Sequence, residues 1–437
     1  MATAYIVDAV RTAGGRRNGR LAGVHPVDLA AATLDAIVSR SGIDGGRVED
    51  VIMGCVTQAG QQAGQVGRNA VLAAKNLPEH VPAVTIDRQC GSSQQAIQFA
   101  AQAIMAGTMD MVIAAGVESM TRVPMGTSAM FHMKEGLGMY KSPGLEAKYP
   151  GVMWSQFMGA EMIVKKHGFT KDQIDAFSLK SHLNAKAATE AGLFANEIVP
   201  IAIETPDGPA MHTVDEGIRF DATLESIAGV KLLSEGGALT AASSSQICDG
   251  ASAALIVSEQ ALKDYGLTPI ARIHNLTVTA GDPVIMLEEP LFATDRALQR
   301  AGLKINANAL NGTVFFPAQQ KGEYSLWMSG WGTLTGEASY TYGSLVHTAD
   351  PALGLGAFNK QGYSNAEVDK LLQEGAKTMD DPKRRALFEK ATELSMNDRA
   401  LIPTVQLQTI WAAKKGMLTV PARMDQETLA YEIKPKR

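Results

Sequence analysis

The feature that most limits how this chain folds is the run Met111-Val112-Ile113-Ala114-Ala115, apolar throughout with no polar alternation. A strand of that kind needs cover on both faces, as in a sheet buried between helices. Its neighbours supply the cover. Residues 2–10, 51–57 and 83–87 read as strands. Residues 26–39, with Leu29, Leu34 and Ile37 on one side, read as a helix, as do 66–75 and about 93–105. Strands and helices alternating at this length imply crossover connections and a parallel sheet. The expected class is α/β, built in layers.

The rest of the chain is less regular. Residues 121–158 carry Met, Gly and Pro without periodicity and read as a long loop insertion. Helical texture returns over 160–191, and strands are expected at 251–257 and 271–278. Past about residue 305 the texture changes. Asn306-Ala307-Asn308-Ala309-Leu310-Asn311-Gly312 is turn-rich and suits a domain junction. A helical pattern over 366–396 is interrupted at Pro382. The expected domains are 1–270, with its insertion at about 121–158, then 271–305, then 306–437.

Composition narrows the class of function. With 46% apolar and 19% charged residues, a disordered or collagen-like chain is excluded. A net charge of −5 gives no footprint for nucleic acid. Three cysteines, Cys55, Cys90 and Cys248, make no disulfide framework in 437 residues, which points to a reducing compartment. The first residues lack the basic start and apolar stretch of a secretory signal, and no run approaches the ~20 apolar residues of a membrane span. The expectation is a cytoplasmic protein without membrane contact. No histidine pair has metal-helix spacing and no Cys-x-x-Cys occurs, so no metal is expected. The glycines of 60–67 lack the Gly-Lys-Ser/Thr ending of a phosphate loop.

Cys90 is the sharpest chemical signal. It stands in Val84-Thr85-Ile86-Asp87-Arg88-Gln89-Cys90-Gly91-Ser92-Ser93, between a strand and a helix with apolar residues at Ala96, Ile97, Ala100, Ala101, Ile104 and Met105. A thiol at a helix start lies near unsatisfied N–H groups and the positive dipole end, a setting that favours thiolate. The residues alone leave two readings, a nucleophile and a small packing residue in a tight turn. Cys55 and Cys248 read as inert packing residues. Arg16, Arg17 and Arg20 form a basic cluster that fits a solvated loop better than a phosphate site.

Several blocks in order carry a family resemblance. They are Arg11-Thr12-Ala13-Gly14-Gly15, Ile52-Met53-Gly54, Gly64-Gln65-Val66-Gly67-Arg68-Asn69-Ala70 and the Cys90 segment. Gly116-Val117-Glu118-Ser119-Met120 and Ser245-Gln246-Ile247-Cys248-Asp249-Gly250-Ala251-Ser252-Ala253 complete the set. In these blocks residues 1 to about 305 resemble the thiolases, acyl-CoA acyltransferases that make or cleave 3-ketoacyl-CoA. The resemblance implies a thiolase-like layered fold and Cys90 as the residue acylated by a CoA thioester. It implies CoA contacts from Arg219, Ser226 and Ser245, with Met158-Gly159 in the pantetheine region. It also implies fatty acid metabolism, coenzyme A thioester as substrate with no permanently bound cofactor, and a homodimer or homotetramer touching through 61–69 and the Met-rich insertion. From the residues alone, Arg219 also fits a solvated charge, and Ser226 and Ser245 fit turn or cap positions.

Thiolase chemistry needs a base for the Cys proton and a second acid/base for the acceptor α-carbon. In the family these are a His in Gly-His-Pro and a Cys in Cys-x-Gly, beside an Asn-Glu-Ala-Phe block that helps form an oxyanion hole. In the family all three lie in the second half of the fold, and none occurs beyond residue 270 here; His25, His80, His132, His167, His182, His212, His274 and His347 all stand outside Gly-His-Pro. The resemblance implies a complete N-terminal half of the fold and a second half that starts at Ala271-Arg272-Ile273 and stops near Ile305. Beyond it, Phe358-Asn359-Lys360-Gln361-Gly362-Tyr363-Ser364-Asn365-Ala366-Glu367-Val368-Asp369 is similar to a block of peptide-type substrate-binding proteins of ABC importers. Asp381-Pro382-Lys383-Arg384-Arg385 and Ala400-Leu401-Ile402-Pro403-Thr404-Val405 are similar too, a partial α/β segment of that type. Trp327, Trp331 and Trp411 fit either a ligand wall or a core. The expected function is acyl transfer through Cys90 with impaired turnover. The alternatives are a peptide-binding fragment and an inactive fusion product.

Overall fold

The computed structural model describes residues 2–302, 338–398 and 400, with the backbone of two paired strands at Leu418–Thr419 and Lys434–Pro435. The chain divides into two compact units, Met1–Ile305 and Asn306–Arg437.

The first unit opens with β1 (Ala4–Thr12), β2 (Gly15–Arg16) and α1 (Pro26–Ser41). Helix α1 starts where Pro26 sets φ and the His25 ring accepts a hydrogen bond from Val27 N at 3.2 Å, and it ends at Gly42 in the left-handed region. Next come β3 (Asp50–Gly54), α2 (Val66–Ala73), β4 (Ala83–Ile86), α3 (Ser92–Met105) and β5 (Met111–Ser119). An excursion follows through α4 (Thr127–Lys134), α5 (Pro143–Lys148), α6 (Gln156–His167) and α7 (Lys171–Glu190). Short β6 (Ile198–Val199), the hairpin of β7 (Ile201–Thr205) and β8 (Gly208–His212), and α8 (Leu224–Ala228) complete it. The chain then returns as β9 (Cys248–Ser258), α9 (Glu259–Tyr265), β10 (Ala271–Arg272) and α10 (Glu289–Arg300).

The main sheet has the order β10-β1-β9-β5-β3-β4, with β2 beside β9 and β6 beside β1. Strand β3 runs parallel to β4 and β5, whereas β9 is antiparallel to both β5 and β1. The sheet is therefore mixed, which corrects the expectation of a parallel one. An apolar run reports burial on both faces but not direction, and the direction of β9 is set by where the long excursion re-enters the sheet.

Burial on both faces holds. On β5 the residues Met111, Ile113, Ala115 and Val117 join one core with Leu29, Leu34 and Ile37 of α1 and Val66 and Val71 of α2. Val112 and Ala114 join the opposite core with Ala96, Ala100, Ala101 and Ile104 of α3. This is the period-two alternation of a strand with two covered faces. Leu34 is fully buried, and trimming such a side chain to Ala costs about 2–5 kcal/mol.

Local departures from expectation have local causes. The stretch 160–191 is two helices because Gly168 takes φ +68° and closes α6. The strand expected at 271–278 pairs only over Ala271–Arg272. The insertion 121–158 carries the short α4 and α5 and is pinned by Lys141, whose side chain is only 9% exposed. Its Nζ donates to Tyr149 O at 3.1 Å and Val152 O at 3.0 Å, pairs with Glu146, and lies 5.5 Å from the Trp154 ring centroid.

In the second unit the described residues form helices Ala338–Leu345, Ala366–Lys377 and Asp381–Asn397 around Val346, Val368, Leu372, Phe388 and Ala391. The pattern over 366–396 is thus two helices, with Pro382 in the first turn of the second, where proline is tolerated. Asn365 caps the first of these two by accepting from Glu367 N at 3.0 Å and Val368 N at 3.3 Å. The junction at 306–312, Trp327, Trp331, Trp411 and residues 401–405 lie outside the described residues. Among the described residues no helix is long and apolar enough to cross a membrane.

Candidate active site

The carboxyl ends of β3, β4 and β5 form one rim, and β9, running the other way, begins at the same rim. Strand β4 ends at Ile86 and α3 begins at Ser92, so Cys90 sits in the turn between them. The turn is tight. Gln89 takes φ +49°, unusual for a residue with a side chain, and its N–H donates to Asp87 Oδ1 at 2.6 Å. The buried Ser92 hydroxyl accepts from Arg88 N at 2.9 Å and donates to Gln89 O at 2.6 Å. These bonds hold the backbone on both sides of Cys90, which is itself exposed. A sharp strand-to-helix turn with a strained residue is the geometry that lifts a nucleophile clear of its sheet.

Two glycines let α3 come down onto the rim. Gly54 of β3 and Gly116 of β5 are register partners. A Cβ on Gly54 would lie 2.5 Å from Ser93 N, and one on Gly116 would lie 2.8 Å from Ser93 Cβ. Both positions therefore form the seat for the first turn of α3.

Beside this seat lies a polar network to which sequence reasoning gave no role. Glu118 accepts from Val56 N at 2.9 Å, Thr57 N at 3.3 Å and Gln62 Nε2 at 2.8 Å. Gln62 is fully buried and accepts from Ser119 N at 2.6 Å. Asp249, also buried, accepts from Thr121 N at 2.9 Å and Ser119 Oγ at 3.2 Å. Glu118 and Asp249 stand inside the blocks quoted above, and a charged residue in a strand with otherwise buried neighbours was the available signal.

The other two cysteines share the rim. Cys55 is buried 4.0 Å from Glu118 Oε2, and burial, with the charges of Glu118 and Asp87, pushes its thiol up to about 12. Cys248 was expected to be a packing residue in a loop; it is instead exposed, as the first residue of β9 opposite Arg16. Desolvation and the nearby Asp249 and Glu118 charges raise its thiol as well. Among the described residues no side chain hydrogen-bonds to the Cys90 sulfur, and no group of His, Cys, Asp and Glu could hold a metal ion.

The remaining expected contacts are spread over the excursion. Arg219 is exposed and lines a cleft of about 550 Å³ with Arg16, Arg20 and residues 211–216. Ser226 is also exposed, but its hydroxyl is used in a reciprocal capping box, accepting from Thr223 N at 3.0 Å and donating to Thr223 O at 2.9 Å. Ser245 is exposed, while the neighbouring Ser243 and Ser244 hydroxyls turn back to Thr240 O. Met158 lies in the first turn of α6 with 39% of its surface exposed, and Gly159 lets that helix approach the carbonyls of Val284 and Ile285.

Known proteins share this fold. The family described as thiolase, N-terminal domain, matches residues 4–260. The chain belongs to the thiolase family. It is 50% identical over 311 residues to a steroid 3-ketoacyl-CoA thiolase of Mycobacterium tuberculosis, covering 70% of this chain and 74% of that protein. The acetyl-CoA acetyltransferase of Bacillus anthracis superposes with a TM-score of 0.62 at 33% identity, over 69% of this chain and 77% of that one. Human mitochondrial 3-ketoacyl-CoA thiolase gives 0.59 at 32% identity over the same shares. The thiolase-like mixed α/β fold and the acyl-CoA acyltransferase class follow, with CoA thioesters as substrates.

Proposed function

We propose that Cys90 is the acyl acceptor of this thiolase. The observation that carries the reading is an exposed thiol on a strained turn at the start of α3. Helix α3 has no side-chain cap; its Ser92 N–H donates to Gln89 O at 3.0 Å, and the N–H groups of the next two residues are left open to negative charge developing nearby. In the step, Cys90 sulfur attacks the thioester carbonyl, the carbon–sulfur bond to CoA breaks, and the thiol proton ends on the CoA sulfur. Arg219, Ser245 and Met158 are proposed to contact the CoA moiety. Ser226 is proposed beside them through the surface of its capped turn, since its hydroxyl is occupied. The similarity to a steroid 3-ketoacyl-CoA thiolase supports a bulky acyl group as substrate.

We further propose that carbon–carbon bond cleavage and formation are impaired in this chain. The support is that 437 residues hold no Gly-His-Pro, and that the single Cys-x-Gly, Cys248-Asp249-Gly250, belongs to the 245–253 block and not to the second half of the fold, which leaves no assigned base for the α-carbon proton. The segment after residue 305 is proposed to derive from a peptide-type binding protein of an ABC importer, on the pattern of residues 358–369. Homo-oligomerisation and a cytoplasmic location are proposed with the acyltransferase reading. The decisive experiment is mass spectrometry of the chain after incubation with acetyl-CoA, alongside CoA-dependent loss of 3-ketoacyl-CoA absorbance. An acetyl group on Cys90 with near-zero absorbance loss is expected. No acetyl group would sink the nucleophile assignment, and absorbance loss at an ordinary enzymatic rate would sink the impairment.

A further inference from the structure

The basic cluster Arg16, Arg17 and Arg20 has no assigned role in acyl transfer at Cys90, yet two of its members line the cleft that holds Arg219. From this convergence we propose that Arg16 and Arg20 determine specificity for the phosphate groups of the CoA nucleotide, an inference that rests on the reading of Arg219 as a CoA contact. At about 550 Å³ the cleft is of small-molecule size.

The charge balance of the cleft supports an anion. Its carboxylates are already engaged. Asp215 takes a two-pronged pair from Arg11 at 2.7 and 3.1 Å and accepts from Gly14 N at 2.7 Å. Glu216 accepts from the main-chain N–H of Arg16 at 3.2 Å and of Arg20 at 2.9 Å, and lies 3.6 Å from Arg16 Nε. Glu216 thus clamps the 16–20 loop to the cleft wall by the backbone of the very residues whose side chains line it. Gly19 is required there, because a Cβ would collide with that carboxylate and with Arg16 O. The cations keep donors to spare. Arg20 spends one N–H on Met211 O at 3.2 Å, and the Arg219 guanidinium has no partner among the described residues. A planar guanidinium with five N–H groups matches phosphate oxygens in a way a lysine does not.

The test titrates the full chain with CoA, dephospho-CoA and inorganic phosphate by calorimetry, for the parent, Arg16→Ala, Arg20→Ala and Arg17→Ala. Acylation of Cys90 by acetyl-CoA and by acetyl-pantetheine is measured in parallel. Loss of about ten-fold in CoA affinity for Arg16→Ala or Arg20→Ala is expected, the scale of one charge-assisted contact, with little change for Arg17→Ala. Acetyl-pantetheine, which has no nucleotide, should acylate all variants equally. Dephospho-CoA then separates the ribose phosphate from the diphosphate, since a variant that weakens both CoA forms equally acts on the diphosphate. Arg20→Lys keeps the charge and tests whether loop shape alone is responsible. Unchanged CoA affinity in both alanine variants, or equal loss with acetyl-pantetheine, would overturn the proposal. Failure of acetyl-CoA to acylate Cys90 of the parent would instead overturn the Cys90 assignment, and the calorimetric arm would stand apart from it.

Discussion

Substituting Gly54→Ala should slow acylation of Cys90 far more than it destabilises the fold. The added Cβ would sit 2.5 Å from Ser93 N, 2.6 Å from the Ser92 carbonyl carbon and 2.9 Å from Ser92 O. All three are backbone atoms, so no side chain can rotate away and the start of α3 must retreat by roughly 1 Å to restore ordinary contact. Overpacking of this kind costs about 1–3 kcal/mol, against which the entropy gained by replacing glycine returns only ~0.4–1 kcal/mol. The net loss lowers the melting temperature by only a few degrees. The catalytic effect is larger, because a reacting group misplaced by about 1 Å loses on the order of 100-fold in rate. Quenched-flow mass spectrometry of Cys90 acylation by acetyl-CoA reads this directly. Gly23→Ala, where a Cβ would meet nothing within 4 Å, is the matched control. Acylation of Gly54→Ala within about three-fold of the parent would refute the idea that the glycine seat positions the Cys90 turn.

Other outcomes follow from the same contacts. Burial alone would raise the Asp215 carboxyl, but hydrogen bonds from Arg11 and Gly14 N bring it below its ordinary value. Its contribution to stability is therefore present above the ordinary carboxylate range and lost as pH falls through the depressed value; Asp215→Asn should flatten this acid limb in urea melts. The buried Cys55 thiol, near 12, should stay unmodified by iodoacetamide at pH 8 while Cys90 reacts, and the stability linked to it should decline as pH climbs from the ordinary thiol value toward 12. Lys141→Met leaves the carbonyls of Tyr149 and Val152 without their donor, at about 1–3 kcal/mol, and should speed proteolytic cleavage within residues 121–158. Thr170→Ala removes the capping box of α7 and should cost about 1 kcal/mol in thermal melts.

Much of the first unit was legible because burial leaves a pattern. Met111 to Ala115 announced a strand covered on both faces, and the alanines of α3 announced a helix lying close to it. What escaped was information that side-chain pattern does not carry. The direction of β9 depends on the route of the intervening chain, and the left-handed turn at Gln89 has no compositional mark, since glutamine is not a turn former. Gly168 was readable as a helix stop but lay inside an otherwise helical texture. At the site, Cys90 stood out by its turn, whereas Gln62 and Glu118 serve by hydrogen-bonding backbone from separate segments, a relation that exists only after folding. The cleft shared by Arg16, Arg20 and Arg219 was hidden for the same reason.

The position of β9 has a consequence for biosynthesis. It lies between β1 and β5, so the earliest strand to leave the ribosome has no central neighbour until translation has passed Ser258. Until then β1 and the β3–β4–β5 block are separate pieces with unpaired edges, a state that invites chaperone attention and slows closure through high contact order. A nascent chain arrested before Cys248 should remain protease-sensitive, and one released beyond Ser258 should become resistant in a single step.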